Sequence, residues 1–338
     1  MEVKTLNREG YAHLVITNSC GMTVELSPVG ASIYDIIVPN KNNESVSVLL
    51  KPSYMENFKH TYYGKTIGRF AGRIDKGLCT IDGKEYNLDI NWCDVNCLHG
   101  GFNGLSSQVC DFSYTVNDDL FEVVYTYTEP SGMLPGTVKY EVVYQIKNDS
   151  NEIVTIHNAE TDALTVVNMT NHAYFNLSGN CKNTILNHNL YLPCDRYTRL
   201  NNELITLSID PVNEVFDFRD GHTVGKFVED PSLQNHKAKG YDHCFLKADE
   251  SNPLIAILSD NESGISLKIS SDYPSVVFYS GCYPDSFPVN DDKASSFKYH
   301  ALCLEPQFIP NGINMENVPQ ALLKPEEKYS HYIKYTFE

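Results

Sequence analysis

Hydrophobic and polar residues alternate with a period of two through much of the chain. In TVKYEVVYQIK (137–147), Val138, Tyr140, Val142, Tyr144 and Ile146 share one face; Lys139, Glu141, Gln145 and Lys147 share the other, and Val143 breaks the pattern. Successive side chains of a strand point to opposite sides of a sheet, so this segment reads as a half-buried antiparallel strand. Val123, Tyr125 and Tyr127 repeat the pattern, as do Leu267 and Ile269. Turn signals separate such runs: Asp82-Gly83 between LCTI and KEYNL, Asn148 to Asn151 between VVYQI and IVTI, and Ser263-Gly264 between two more. These predict hairpins.

Helical signal is confined to a turn or two in KPSYMENFKH (51–60) and one turn in NVPQALLK (317–324). No glycine-rich phosphate loop follows a strand, and strands do not alternate with long helices. The predicted class is all-β: a large antiparallel β-sandwich, two sheets packed face to face, with few short helices. No linker, low-complexity tract or internal repeat interrupts the pattern, so residues 1–338 read as one domain, a length that sandwiches reach.

Charge narrows the choice of partners. With 26 Lys and Arg against 43 Asp and Glu, the net charge is −17. Such a surface repels nucleic-acid backbones and anionic lipids, and disfavours a phosphorylated ligand unless a basic pocket overrides it. No nucleic acid and no membrane are therefore expected as partners. The opening MEVKTLNREGYAHLV has no apolar signal core, and no stretch approaches membrane-spanning length, so a cytoplasmic protein is expected. The ten cysteines are scattered, and a chain of this size needs no staples, so free thiols are expected. Cys93 and Cys97 have loose metal-like spacing, but no second close pair accompanies them.

Five stretches break the alternation with chemically active residues. GRFAGRIDKG (68–77) sets Arg69 and Arg73 among small residues; a structural turn with surface arginines explains it as simply as a ligand site does. CLHGG (97–101) presents His99 before two glycines. TNHAYFNLSG (170–179) puts His172 beside an amide and then two aromatics, an unusual mixture for either a core strand or a loose loop. In YDHCF (241–245), Asp242 either caps a strand start or faces a ligand. In ALCLEPQFIPNGIN (301–314), Glu305 ends the apolar run Ala301 to Leu304. A carboxylate there is paired, caps a turn, or is held for catalysis, and desolvation would make it a stronger base. A metal centre built on His99, His172, His243 and Glu305 finds no support in spacing, because no HxH or HxxxH pair occurs.

Taken together and in this order, the five stretches resemble the aldose 1-epimerase (galactose mutarotase) family, from about GASIYDIIVPN (30–40) to the C-terminus. The resemblance implies a β-sandwich with an open sugar cleft. It implies an isomerase that interconverts the α and β anomers of free aldohexoses such as glucose and galactose, without cofactor or metal, as a monomer or weak homodimer. It implies His172 as general acid and Glu305 as general base, with Arg73, His99 and Asp242 holding hydroxyls and Tyr279, in VVFYSG, packing on the sugar. His172 is expected to donate as an imidazolium without a large pKa shift. Gly72 stands where some members carry Asn, and Asn311-Gly312 replaces a frequent Asp-Ala; both bear on substrate preference. Alternatives are a hexose-6-phosphate 1-epimerase, which should gather extra arginines, and a non-catalytic sugar-binding module of the same fold.

Overall fold

The structure, a computed structural model, describes residues 1–290 and 294–338. Its strands pair antiparallel in three main sheets. A nine-stranded sheet runs in the order Asp111–Val116, Leu120–Glu129, Val138–Lys147, Glu152–Thr161, Tyr329–Phe337, Ile265–Ser271, Leu254–Asp260, Asn189–Tyr191, His222–Thr223. A six-stranded sheet runs Tyr174–Phe175, Leu302–Gln307, Ser275–Tyr279, Asp242–Lys247, Cys194–Leu200, Thr206–Pro211. The first 47 residues form a five-stranded meander.

The apolar face predicted for 137–147 is the core face. Val138, Tyr140, Val142, Tyr144 and Ile146 are all buried, and they join one cluster with Phe121, Val123, Leu267 and Ile269. Phe245, Val276, Phe278, Leu302 and Leu304 of the six-stranded sheet belong to the same cluster. Each fully buried side chain of this kind contributes about 1.5–3 kcal/mol, so two sheets with one apolar face each are driven together. Val143, the exception, lies between Val124 and Ile156 on the opposite face, a cross-strand apolar trio that shelters it.

The three predicted turns close Leu78–Ile81 on Lys84–Asn87, Val138–Lys147 on Glu152–Thr161, and Leu254–Asp260 on Ile265–Ser271. Met55–Lys59 is a helix, as its segment predicted. NVPQALLK is not. Leu322–Leu323 is a short strand paired with Thr165–Val166, and the nearest helical turn is the 3-10 turn Gly312–Asn314. Pro319 favours extended backbone before it, and the two leucines find a strand partner that local propensity cannot reveal. All ten cysteines are free, and eight are buried. Among the described residues no helix is long and apolar enough to cross a membrane.

Candidate active site

One face of the six-stranded sheet belongs to the core; the other floors a cleft of about 1030 Å³, counting its open mouth. Period two divides the residues. In Ser275–Tyr279, Val276 and Phe278 enter the core while Val277 and Tyr279 line the cleft. In Leu302–Gln307, Leu302 and Leu304 enter the core while Glu305 and Gln307 line the cleft. Asp242 and Cys244 line it from the next strand. Register does the rest: Asp242 pairs with Tyr279, Tyr279 with Cys303, and Val277 with Glu305. Glu305 therefore sits within a buried strand rather than ending one.

The other motifs form the walls by pairing with one another. Thr170–Asn171 pairs with Thr66–Ile67, and Tyr174–Phe175 pairs with Leu302–Gln307. His172 lies between these two ladders, its N–H donating to the Lys65 carbonyl (2.9 Å) and its carbonyl accepting from Gly64 (2.9 Å). The amides of the motif are structural. Asn171 donates to the Gly64 carbonyl (2.8 Å), and Asn176 to those of Asn183 (2.7 Å) and His300 (2.6 Å). The aromatics divide: Tyr174 lines the cleft, and Phe175 fills the core. Arg73–Ile74 pairs with Cys97–Leu98, which sets Arg73 and His99 side by side.

All six residues singled out from the sequence, Arg73, His99, His172, Asp242, Tyr279 and Glu305, line this cleft. His172 Nε2 is 3.5 Å from Glu305 Oε1. The His172 ring stacks between Tyr174 (5.0 Å) and Tyr62 (5.9 Å) and meets His99 edge-on at 5.2 Å. Cys303 Sγ is 3.4 Å from His172 Nδ1. Arg73 Nη2 donates to Asp242 Oδ2 at 3.0 Å. The Gly72 N–H donates to His99 Nδ1 (3.2 Å), which leaves Nε2 as the His99 donor. Gly72 has φ +78°, and a Cβ there would stand 2.6 Å from Pro310 Cβ, so glycine fits this turn and a larger residue does not. Asn311 adopts the left-handed conformation that Asn tolerates, and its side chain accepts from the Asp75 N–H (3.1 Å). The two departures from the family pattern thus meet at Pro310: Gly72 and Pro310 line the cleft, and Asn311-Gly312 follow directly in the chain.

Burial sets the protonation states. Glu305 is raised well above the usual carboxylate range, by desolvation first and the Asp242 charge second, against an opposing pull from Arg73. Burial pushes His172 down to about 3, aided by Arg73 and opposed by a backbone hydrogen bond. His99 is also lowered well below its ordinary value, by burial, then His172 and Arg73. This corrects the expectation of an imidazolium at an ordinary pKa: burial of the unliganded cleft favours a neutral His172 and shifts Glu305 toward its protonated form.

Two further readings change. Arg69 is no surface arginine; it is 2 % exposed and points away from the cleft. His243 follows Asp242 by one residue, so strand alternation sends it to the opposite face, where it packs on Phe216 at 4.9 Å. The four-residue metal set is therefore not assembled. Sequence reasoning passed over Tyr62, Trp92, Cys303 and Gln307. Cys303 and Gln307 stand two residues either side of Glu305, and period two could have found them; Tyr62 and Trp92 carry no such signal.

The protein is of the all-β class, with a polar cleft on one sheet face in which an acid and a base group stand side by side. Residues 12–336 match the family model described as aldose 1-epimerase. The galactose mutarotase of Mus musculus is 33 % identical over 323 residues, covering 94 % of this chain and 91 % of that protein. The aldose 1-epimerase of Escherichia coli K12 is 30 % identical over 341 residues, covering 97 % and 95 %. The crystal structure of an aldose epimerase homologue from C. elegans superposes with a TM-score of 0.86 at 27 % identity, covering 97 % of this chain and 99 % of that one. The chain belongs to the aldose 1-epimerase family, and it is an isomerase acting on carbohydrates, a mutarotase.

Proposed function

We propose that Glu305 and His172 share one proton and pass it across the anomeric centre of a free aldohexose such as glucose or galactose. The observation that carries this is their 3.5 Å approach inside one cleft. The anomeric hydroxyl O1 and the ring oxygen O5 are bonded to the same carbon, so a base and an acid this close reach both. With the closed sugar bound, the shared proton moves from Glu305 to His172; in ring opening the Glu305 carboxylate then takes the O1 proton, the His172 imidazolium gives its proton to O5, and the C1–O5 bond breaks to leave an aldehyde. The C1 aldehyde turns, and closure on its other face returns each proton by the reverse path. The pair then holds the same number of protons as at the start, so none need come from solvent. With the open sugar bound, Glu305 is protonated and His172 neutral, which is the arrangement that burial favours. Arg73, His99 and Asp242 hold the remaining hydroxyls, and Tyr279 offers its ring to the sugar face.

Charge supports a free sugar over its 6-phosphate. Among the described residues Arg73 is the one arginine or lysine lining the cleft, and Asp242 already neutralises it. Arg196 and Arg199 pair with Asp195 and Asp210 elsewhere on the surface. Freshly dissolved pure α-anomers, followed by polarimetry, test this directly. Acceleration is expected with glucose and galactose, and kcat/KM at least about tenfold lower with glucose 6-phosphate, the cost of an unpaired charge near like charge. A preference for the phosphate would overturn the assignment. Sugar binding by calorimetry without any rate enhancement would leave a binding module.

The pH profile follows from the one-proton pair. Its proton is lost only above the raised pKa of Glu305, and a second is gained only as His172 approaches about 3. kcat/KM should therefore show no acid limb at 6.5, the ordinary histidine value, and should fall on the acid side only at much lower pH. An acid limb centred near 6.5, in protein that circular dichroism shows to be folded, would mean that His172 titrates as an exposed imidazole and acts alone.

A further inference from the structure

Trp92 is the only tryptophan in the chain, and it lines the cleft. Its indole covers the Arg73 guanidinium, with 4.7 Å between the ring and Cζ. Tyr283 meets it edge-on at 5.7 Å, and Leu200, Leu204 and Ala238 pack against it. The loop that carries it is tied down. Trp92 and Asn96 exchange backbone hydrogen bonds of 3.1 and 3.0 Å, and the Asn91 side chain bonds both the N–H (2.7 Å) and the carbonyl (3.0 Å) of Leu98, next to His99. The indole N–H is buried and has no hydrogen-bond partner among the described residues. Arg73 Nε, Glu305 Oε2 and Gln307 Oε1, in the same cleft, share that condition. Buried donors and acceptors are satisfied in the great majority of cases, so four orphans in one cleft mark places where a ligand supplies the partner.

The floor gives the orientation. Glu305 and His172 attend the C1–O5 edge of the pyranose. Asp242 lies two strands from Cys303, which adjoins His172, a backbone separation of about 10 Å that a sugar ring with its hydroxyls fills. Arg73 and Asp242 thus meet the opposite, C3–C4 edge, and Trp92, whose ring covers Arg73, lines the cleft beside them. We propose that the Trp92 N–H donates to the C4 hydroxyl and sets the preference between C4 epimers, glucose and galactose. This rests on the mutarotase reading above and adds a specificity-determining residue to it.

The test is a cycle between enzyme and substrate. Trp92→Phe keeps a ring over Arg73 and removes the donor; 4-deoxyglucose removes the acceptor. With glucose, the variant should raise KM about tenfold, with kcat within about twofold, and the glucose-to-galactose ratio of kcat/KM should change about fivefold or more. With 4-deoxyglucose, variant and wild type should agree within about twofold, because the contact is already gone. The same loss on both sugars, or no loss on either, overturns the proposal. A wild-type protein that accelerates no anomer exchange overturns the mutarotase reading instead. The wild type supplies a second readout should the variant not fold. As the sole tryptophan it dominates the fluorescence excited at the red edge, and saturating glucose should shift its emission more than saturating 4-deoxyglucose. Equal responses to the two sugars count against the contact.

Discussion

Replacing Glu305 by Gln leaves a folded protein that has lost about 10³-fold or more in kcat for mutarotation, roughly 4 kcal/mol of transition-state stabilisation. The amide has the shape of the carboxyl and cannot take the O1 proton. His172→Asn costs a similar factor, because the imidazole alone moves the proton at O5. The double variant should lose no more than about the larger single loss, since two groups that pass one proton act as a unit. Stability should move the other way. Glu305 is 2 % exposed, its Oε2 has no hydrogen-bond partner among the described residues, and the Asp242 charge opposes its ionisation. Above the ordinary carboxylate range, folding must either keep Glu305 protonated or bury its charge near Asp242; an uncharged amide does neither, so at neutral pH the melting temperature of Glu305→Gln should equal or exceed that of wild type. Polarimetry on a pure anomer and a thermal melt together check this. Wild-type turnover in either single variant would remove that residue from the mechanism.

The contrast with the sequence is sharpest where two residues look alike. Alternation along 137–147 announced a sheet, and the same rule, applied to ALCLEPQF, places Glu305 and Gln307 on one face. Those are local consequences of strand geometry and were legible. The resemblance singled out six residues that share a cleft. Which strands neighbour one another was not legible, because register is decided by core packing across the whole chain. That is why the 3.5 Å between His172 and Glu305 had to await the fold. Protonation was misjudged for the same reason: His172 in a loop-like motif reads as ordinary, and only its burial between Tyr62 and Tyr174 shows the cost of charging it. Arg69 and Arg73 stand four apart among the same small residues, yet one lines the cleft and one lies beneath its wall. Nothing in GRFAGR separates them.

Their difference is itself measurable. Arg69 Nη1 donates to the Pro135 carbonyl (2.9 Å) and the Thr165 hydroxyl (3.1 Å); Nη2 donates to the Gly136 carbonyl (3.2 Å) and pairs with Glu129 Oε1 at 2.8 Å. Glu129 also accepts from the Tyr140 hydroxyl at 2.7 Å. One guanidinium thus pins the connection between Leu120–Glu129 and Val138–Lys147 to the Thr165–Val166 strand. Arg69→Met keeps the bulk and strands three acceptors and one carboxylate. Breaking a buried pair from one side costs about 3–5 kcal/mol, so the unfolding free energy from urea titration should fall by that amount, with a correspondingly lower midpoint. The fraction still folded should keep its kcat within about threefold, because Arg69 does not line the cleft. Adding Glu129→Gln should restore part of the stability by removing the stranded charge. Arg73→Met should do the reverse, lowering kcat/KM by about tenfold or more through lost contacts to substrate. A loss of stability below about 1 kcal/mol in Arg69→Met, the range of exposed pairs, would show that water reaches this guanidinium and that the connection is held by other contacts.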